Sequence, residues 1–158
     1  MSTRFLLALL SLSAFACSGQ PAAPDDTTTP RFVGRWTYQP GSAVVVDCPN
    51  AAQQTIDLFR VPPDNQPAYF TFTATAGGRL HEVDARGCQY DWAVAGDVAT
   101  AASGQSCATF PDGRGGNRVV HLASGTKTTT NGASMRVDVH FTSDDGCAIH
   151  TQGQTTKS

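Results

Sequence analysis

Cysteines are the residues with the clearest chemistry in this sequence of 158 residues. Four of the five lie in the region that we expect to fold, at Cys48, Cys88, Cys107 and Cys147. No two have the Cys-x-x-Cys spacing of a zinc site. An even number indicates two disulfides where the chain also has an export signal, as residues 1–16 of this sequence indicate. Four cysteines allow three pairings. Cys88 and Cys107 could face each other across a hairpin, which favours Cys88–Cys107 and Cys48–Cys147 as a hypothesis.

The histidines do not form a metal-binding pattern. They stand at His81, His121, His140 and His150. Metal ligands usually pair at short spacing on one face of an element, and no two histidines do so within one predicted strand. His140 shares the polar side of its strand with Arg136 and Asp138, so we expect it to be a solvated surface residue. Asp144-Asp145-Gly146 lacks the alternating oxygen ligands of a calcium loop. We therefore predict no metal site.

Catalytic motifs are also missing from the sequence. It contains no Gly-x-Ser-x-Gly elbow, no phosphate loop and no His-Glu-x-x-His helix. Four carboxylates could in principle supply an acid–base pair, although their spacing does not require one: Asp57, Glu82, Asp84 and Asp91. We predict no catalytic residue and no cofactor, and we expect that the protein is not an enzyme.

The N-terminus has the layout of a signal peptide over residues 1–16. Arg4 gives a positive start, an apolar run follows over residues 5–12, and the small residues Ala14 and Ala16 precede a cleavage position. The apolar run is too short to cross a bilayer. Residues 17–30 are rich in proline, threonine and small polar residues, a composition that stays extended. We predict a tether over 17–30 and one folded domain over 31–158.

Ala14-Phe15-Ala16-Cys17 resembles the lipobox of bacterial lipoproteins. The resemblance implies that Cys17 becomes the lipidated, palmitate-bearing first residue of the mature chain, and Ser18 resembles the residue of lipoproteins sorted to the outer membrane. Several acyl chains on one cysteine would anchor the protein stably. The expected location is the cell envelope, on the periplasmic or surface side. Ordinary cleavage after Ala16 would instead leave a secreted protein.

Short alternating strands account for the rest of the sequence. The formal net charge is −2 and the charges are not clustered, so we expect no nucleic-acid partner. The expected oligomeric state is a monomer. A strand at 34–38 turns at Pro40-Gly41-Ser42 into a returning strand at 43–48. Residues 55–61 are a third strand with Ile56 and Leu58 on one side, or a short helical turn that Pro62-Pro63 ends. Residues 69–75 and 88–94 alternate strongly. About eight to ten short strands predict an all-β, antiparallel up-and-down barrel whose last strand closes onto the first.

Gly34-x-Trp36 on the first strand resembles the motif of lipocalins and of the wider calycin group, and Gly34, Trp36, Gly41 and Ser42 are similar in spacing to the first hairpin of avidins. The resemblance implies a barrel. Lipocalins also place an arginine of the final strand over the tryptophan, and this final strand has none. Avidins have a ligand-binding asparagine where this chain has Tyr38.

Three readings of function follow. The favoured one is a non-catalytic exported lipoprotein whose binding or structural role is open. In the second, a lipocalin-like barrel binds an apolar small molecule in a cavity lined by six aromatic residues, which would otherwise fill the core: Trp36, Tyr38, Phe70, Phe72, Tyr90 and Trp92. In the third, the loop at 112–117, with Arg114 at its tip, inhibits an exported hydrolase.

Overall fold

The protein is an all-β barrel. The computed structural model describes residues 28–111 and 116–158. Within them one short helix, α1 (Thr29–Phe32), precedes eleven strands: β1 (Gly34–Tyr38), β2 (Ala43–Asp47), β3 (Gln54–Asp57), β4 (Tyr69–Thr75), β5 (Arg79–Asp84), β6 (Gln89–Ala95), β7 (Val98–Ala101), β8 (Ser106–Pro111), β9 (Asn117–Thr129), β10 (Ser134–Ser143) and β11 (Ala148–Lys157). No helix in these two ranges is long and apolar enough to cross a bilayer.

Eight strands close the barrel in the order β1-β4-β5-β6-β7-β9-β10-β11, and β11 pairs with β1. All the pairings are antiparallel, so the predicted architecture is confirmed. The long strands β9 and β11 extend beyond the ring. There β8 pairs with the first part of β9, and β2 pairs with the first part of β11. The barrel is thus lengthened at one end only.

The first two strands do not form the predicted hairpin. β1 and β2 both pair with β11, at Thr155–Lys157 and at Ala148–Gln152, so the chain continues past Pro40-Gly41 instead of returning. The Ser42 hydroxyl donates to the Gln154 carbonyl at 3.0 Å and accepts from the Gln154 N–H at 3.1 Å, which ties the corner to β11. A Cβ on Gly153 would overlap Ser42, so glycine is required opposite the corner.

The third predicted strand is also corrected. The sequence predicts it over 55–61 with Ile56 and Leu58 on one side, whereas β3 covers only Gln54–Asp57 and its residues are exposed. Ile56 and Leu58 do face the same side, since both line one cavity. Its single neighbour in the sheet is β2. Only Leu58, after the strand ends, is buried.

Both predicted disulfides are present, Cys48–Cys147 and Cys88–Cys107. Cys147 directly precedes β11 and Cys48 directly follows β2, so the first bridge extends a strand pair. The second joins the turn before β6 to β8. Because each bridge closes a loop in the unfolded chain, each stabilises the fold by about 2–4 kcal/mol. Both lie at the lengthened end of the barrel.

Helix α1 closes the opposite end. Arg31 lies against Gly132 of the β9–β10 turn and pairs with Asp97 of the β6–β7 turn at 2.6 Å. Phe32 is fully buried, and its carbonyl accepts the Trp36 indole N–H at 2.6 Å. The helix includes Thr29 and Pro30, which the sequence assigns to the tether, because proline fits a first helical turn and burial of Phe32 holds the turn in place. We call this region the closed end.

Candidate functional site

A cavity of about 330 Å³ occupies the other end of the barrel, which we call the open end. Its walls come from the inward faces of the strands, and its rim comes from the β3–β4 connection at 58–68 and the β5–β6 turn. Most of the wall is aromatic or aliphatic, with Leu58, Phe110, Val139 and Phe141 among its residues. The volume lies at the lower end of the range for small-molecule sites, about 300–1,000 Å³.

The six aromatic residues predicted to line a cavity divide into two groups. Tyr38, Phe70, Tyr90 and Trp92 line it. Trp36 and Phe72 do not, and both are fully buried at the closed end. The Phe72 ring meets that of Phe32 edge-on at 6.3 Å between centroids, and the Trp36 indole N–H is bonded to the Phe32 carbonyl. The barrel interior is therefore solid at one end and hollow at the other.

A buried ion pair stands between these two halves. Lys127 Nζ lies 2.7 Å from Glu82 Oε1, and the two side chains are 2% and 6% exposed. The ammonium also lies over aromatic rings, 3.4 Å from the Phe70 centroid and 4.8 Å from that of Trp92. Such rings attract a cation through their negative faces. Lys127 is thus held by one carboxylate and by an aromatic wall.

Each charge of the pair depends on the other. Burial raises the pKa of Glu82, whereas Lys127 and, more weakly, the Trp92 indole N–H lower it. Burial lowers the pKa of Lys127, and Glu82 raises it. The interior therefore disfavours either charge alone, and the pair together contributes no net charge to the cavity wall.

Three buried polar atoms of the cavity wall have no hydrogen-bond partner among the described residues. They are Glu82 Oε2, the Tyr90 hydroxyl and Trp92 Nε1. The Trp92 indole N–H lies close enough to Glu82 to lower its pKa, but the two do not reach the geometry of a hydrogen bond. Burial also raises the pKa of Tyr90, so its hydroxyl stays protonated and can donate. Buried polar groups in native proteins are nearly always paired. The Tyr90 hydroxyl and the Trp92 N–H can donate, and Glu82 Oε2 and the Tyr90 oxygen can accept, so this wall could bind the polar group of a ligand.

A rigid polar rim frames the entrance. Asp84 Oδ1 accepts from the backbone N–H groups of Arg86 and Cys88, at 2.8 and 2.9 Å. The Arg86 guanidinium donates to Asp84 Oδ2 at 2.7 and 3.0 Å and lies over the Phe110 ring, 4.5 Å from its centroid. The Cys88–Cys107 disulfide holds the same turn. The entrance is thus fixed by an ion pair, a ring contact and a covalent bond.

Sequence reasoning missed Lys127 and the role of Glu82. Val120 and Leu122 point inward, and strict alternation would continue through Ser124 and Thr126, leaving Lys127 outside. A β-bulge intervenes, because His140 pairs with Ser124 while Phe141 pairs with Leu122, so Ala123 is an extra residue. Beyond the bulge the inward positions are Gly125, Lys127 and Thr129.

The remaining predicted residues lie away from this cavity or outside the described ranges. Cys17 and Arg114 belong to residues that the structure does not describe. Among the histidines, His81 pairs with Asp91 and His121 with Asp144, at 2.9 and 2.6 Å, while His140 and His150 both contact Asp138. Asp57 caps a turn by accepting the Phe59 N–H at 2.8 Å.

No protein-family model, curated protein or solved structure matches this chain significantly. The cavity, its ion pair and its unpartnered polar atoms are therefore the basis on which its function is inferred.

Proposed function

We propose that this protein is an exported, non-catalytic barrel that binds a small neutral molecule in the open end of its interior. The ligand has an apolar or aromatic body and one polar head that both donates and accepts a hydrogen bond. The observation that carries the proposal is the cavity wall on which Glu82 Oε2, the Tyr90 hydroxyl and Trp92 Nε1 are buried without partners.

The charges of the wall select the ligand class. Lys127 and Glu82 neutralise each other at 2.7 Å, and Asp84 and Arg86 do the same at the rim. The remaining charged residue of the lining, Asp64, is exposed on the β3–β4 connection. A charged ligand would therefore find no free counter-charge in the buried part of the wall, and burying an unpaired charge is strongly unfavourable. An alcohol, phenol or primary amide can instead donate to Glu82 and accept from Trp92 or Tyr90, and its body can pack on Phe70 and Phe141.

The proposed location is the cell envelope, with the chain anchored to the outer membrane through Cys17. The two disulfides favour an oxidising compartment, and the lipobox-like segment favours lipidation. A secreted protein remains the alternative. Lys157 of the final strand supports the lipocalin resemblance. Its ammonium lies 5.0 Å from the Trp36 ring centroid, at the place where lipocalins have an arginine.

Indole N–H signals in a heteronuclear NMR spectrum would test the binding proposal, because the chain has two tryptophans. Trp92 faces the cavity, whereas Trp36 Nε1 is bonded to the Phe32 carbonyl. Naphthol is the first probe, with naphthalene and naphthoate as matched compounds that lack the hydroxyl or add a charge. We expect naphthol to shift the Trp92 signal and leave that of Trp36 in place, and to bind more tightly than either matched compound.

Two results would overturn the proposal. Unchanged indole signals across neutral aromatic alcohols and amides would show that the cavity does not take this class. Equal affinity for naphthol and naphthalene would show that the buried polar atoms do not select the ligand.

A further inference from the structure

A second group of chemically capable side chains lies on the outer surface of the barrel. Asp138 and His140 point outward from β10, and His150 points outward from β11. His140 and His150 are directly opposite each other in the strand pairing, which is why spacing along one strand does not reveal them. A carboxylate oxygen and two imidazole nitrogens therefore meet on one exposed patch.

The ligand atoms of this patch already converge. The Nε2 atoms of His140 and His150 lie 3.1 and 2.9 Å from the same oxygen, Asp138 Oδ1, and one ligand atom from each residue lies within 4.8 Å of the others. The two imidazole rings are stacked, with centroids 4.1 Å apart and planes 9° apart. Both Nε2 atoms point to the same side, because both contact Asp138 Oδ1. Tetrahedral zinc with bonds of about 2.0–2.1 Å needs ligand atoms about 3.3 Å apart.

We propose that Asp138, His140 and His150 bind a divalent transition-metal ion, Zn²⁺ or Cu²⁺, at the surface of the barrel. Imidazole nitrogen suits these ions, whereas Ca²⁺ and Mg²⁺ prefer oxygen ligands alone. Three protein ligands leave a fourth position for water. All three side chains are between 32% and 51% exposed, so each can rotate to admit an ion between them.

This site is separate from the proposed ligand cavity. Val139 and Phe141, which alternate with Asp138 and His140 on β10, line the cavity from the inside, while the three metal ligands do not line it. The metal site therefore stands whether or not the barrel binds a small molecule.

Imidazole signals in NMR spectra of the full chain with its disulfides intact would test the proposal directly. On addition of equimolar Zn²⁺ we expect the ring signals of His140 and His150 to shift together, while those of His81 and His121 stay in place. Cu²⁺ should broaden the same two sets of signals, and calorimetry should show tighter binding of Cu²⁺ than of Zn²⁺.

Matched variants make the experiment decisive. Loss of a residue that only orients a ligand costs about 10–100-fold in metal affinity, so H140Q or H150Q should weaken binding at least about tenfold, and D138N should also weaken it. H121Q is the control, because His121 and Asp144 form another exposed pair with one imidazole. Unshifted His140 and His150 signals in excess Zn²⁺, or equal losses in H121Q and H150Q, would overturn the proposal.

Discussion

The two ends of the barrel are built from the same strands, but the interior is packed differently at each end. Phe70 and Phe72 lie two residues apart on β4 and both point inward. Phe72 packs edge-on against Phe32 at the closed end and also meets the ring of Trp92, which lines the cavity. Phe70 borders the cavity and lies under the Lys127 ammonium. A step of two residues along one strand therefore separates the packed core from the cavity wall.

This difference shows that the closed end contributes more to stability than the open end does. The closed end buries Trp36, Phe32 and Phe72 completely, and its one indole N–H is bonded. The open end keeps a buried ion pair and three buried polar atoms that have no hydrogen-bond partner among the described residues. Local violations of good packing of this kind are expected at functional sites, and the closed end offsets them.

The largest effect is expected from breaking the ion pair. In K127M, Glu82 is left buried without its partner, and removal of one member of a buried pair destabilises by about 3–5 kcal/mol. Denaturant unfolding would measure the loss. In the double variant E82Q/K127M no charge remains, so we expect much of the stability to return. If K127M unfolds at the same denaturant concentration as the wild type, the ion pair does not stabilise the fold.

Truncating one aromatic residue at each end compares the two packings directly. F72A removes a fully buried ring from the closed end and should cost about 3–5 kcal/mol. F141A should cost less, because Phe141 is already 8% exposed and borders the cavity. Urea unfolding of the two variants checks the order. Equal losses would mean that the cavity wall is packed as tightly as the closed end.

A pH dependence should appear once Lys127 is removed. Burial already raises the pKa of Glu82 above its ordinary value of 4.5, and in K127M it should rise further. The folded state then keeps a proton that the unfolded state releases, so the free energy of unfolding falls as pH rises, by up to about 1.4 kcal/mol per pH unit. Unfolding of K127M at about pH 5 and about pH 8 would measure this slope. E82Q/K127M should lack it, and equal slopes in both variants would contradict the assignment to Glu82.

The sequence predicts the inward-facing residues of regular strands better than it predicts the charged residue Lys127 in the interior. Alternation of Cys88, Tyr90, Trp92 and Val94 is strict, so their inward positions are readable, and all four are buried. Lys127 is not readable, because the single extra residue Ala123 reverses the alternation of β9. The continuation of β1 into β2 along β11 depends on Ser42 meeting Gly153, residues more than a hundred positions apart in sequence.

The proximity of His140 and His150 is also a long-range contact that the sequence does not predict. His140 and His150 become neighbours only through the register of β10 and β11, and register depends on where the connecting turn begins and ends. Local patterns therefore predict which side of a strand a residue occupies until a bulge intervenes. Contacts across strands need the closed barrel.

The smallest expected change in stability belongs to Y90F, and it separates binding from folding. The Tyr90 ring packs against Phe141, with centroids 5.6 Å apart, and Phe keeps that contact. The hydroxyl has no partner among the described residues, so its removal should leave the free energy of unfolding unchanged or raise it by about 1 kcal/mol. Affinity for naphthol should fall severalfold while affinity for naphthalene stays the same, because only naphthol can bond to the hydroxyl. Thermal unfolding and calorimetric titration of the same protein sample would measure both. A destabilised Y90F would mean that the hydroxyl is paired in the folded protein, and the open end would then have one fewer polar group to offer a ligand.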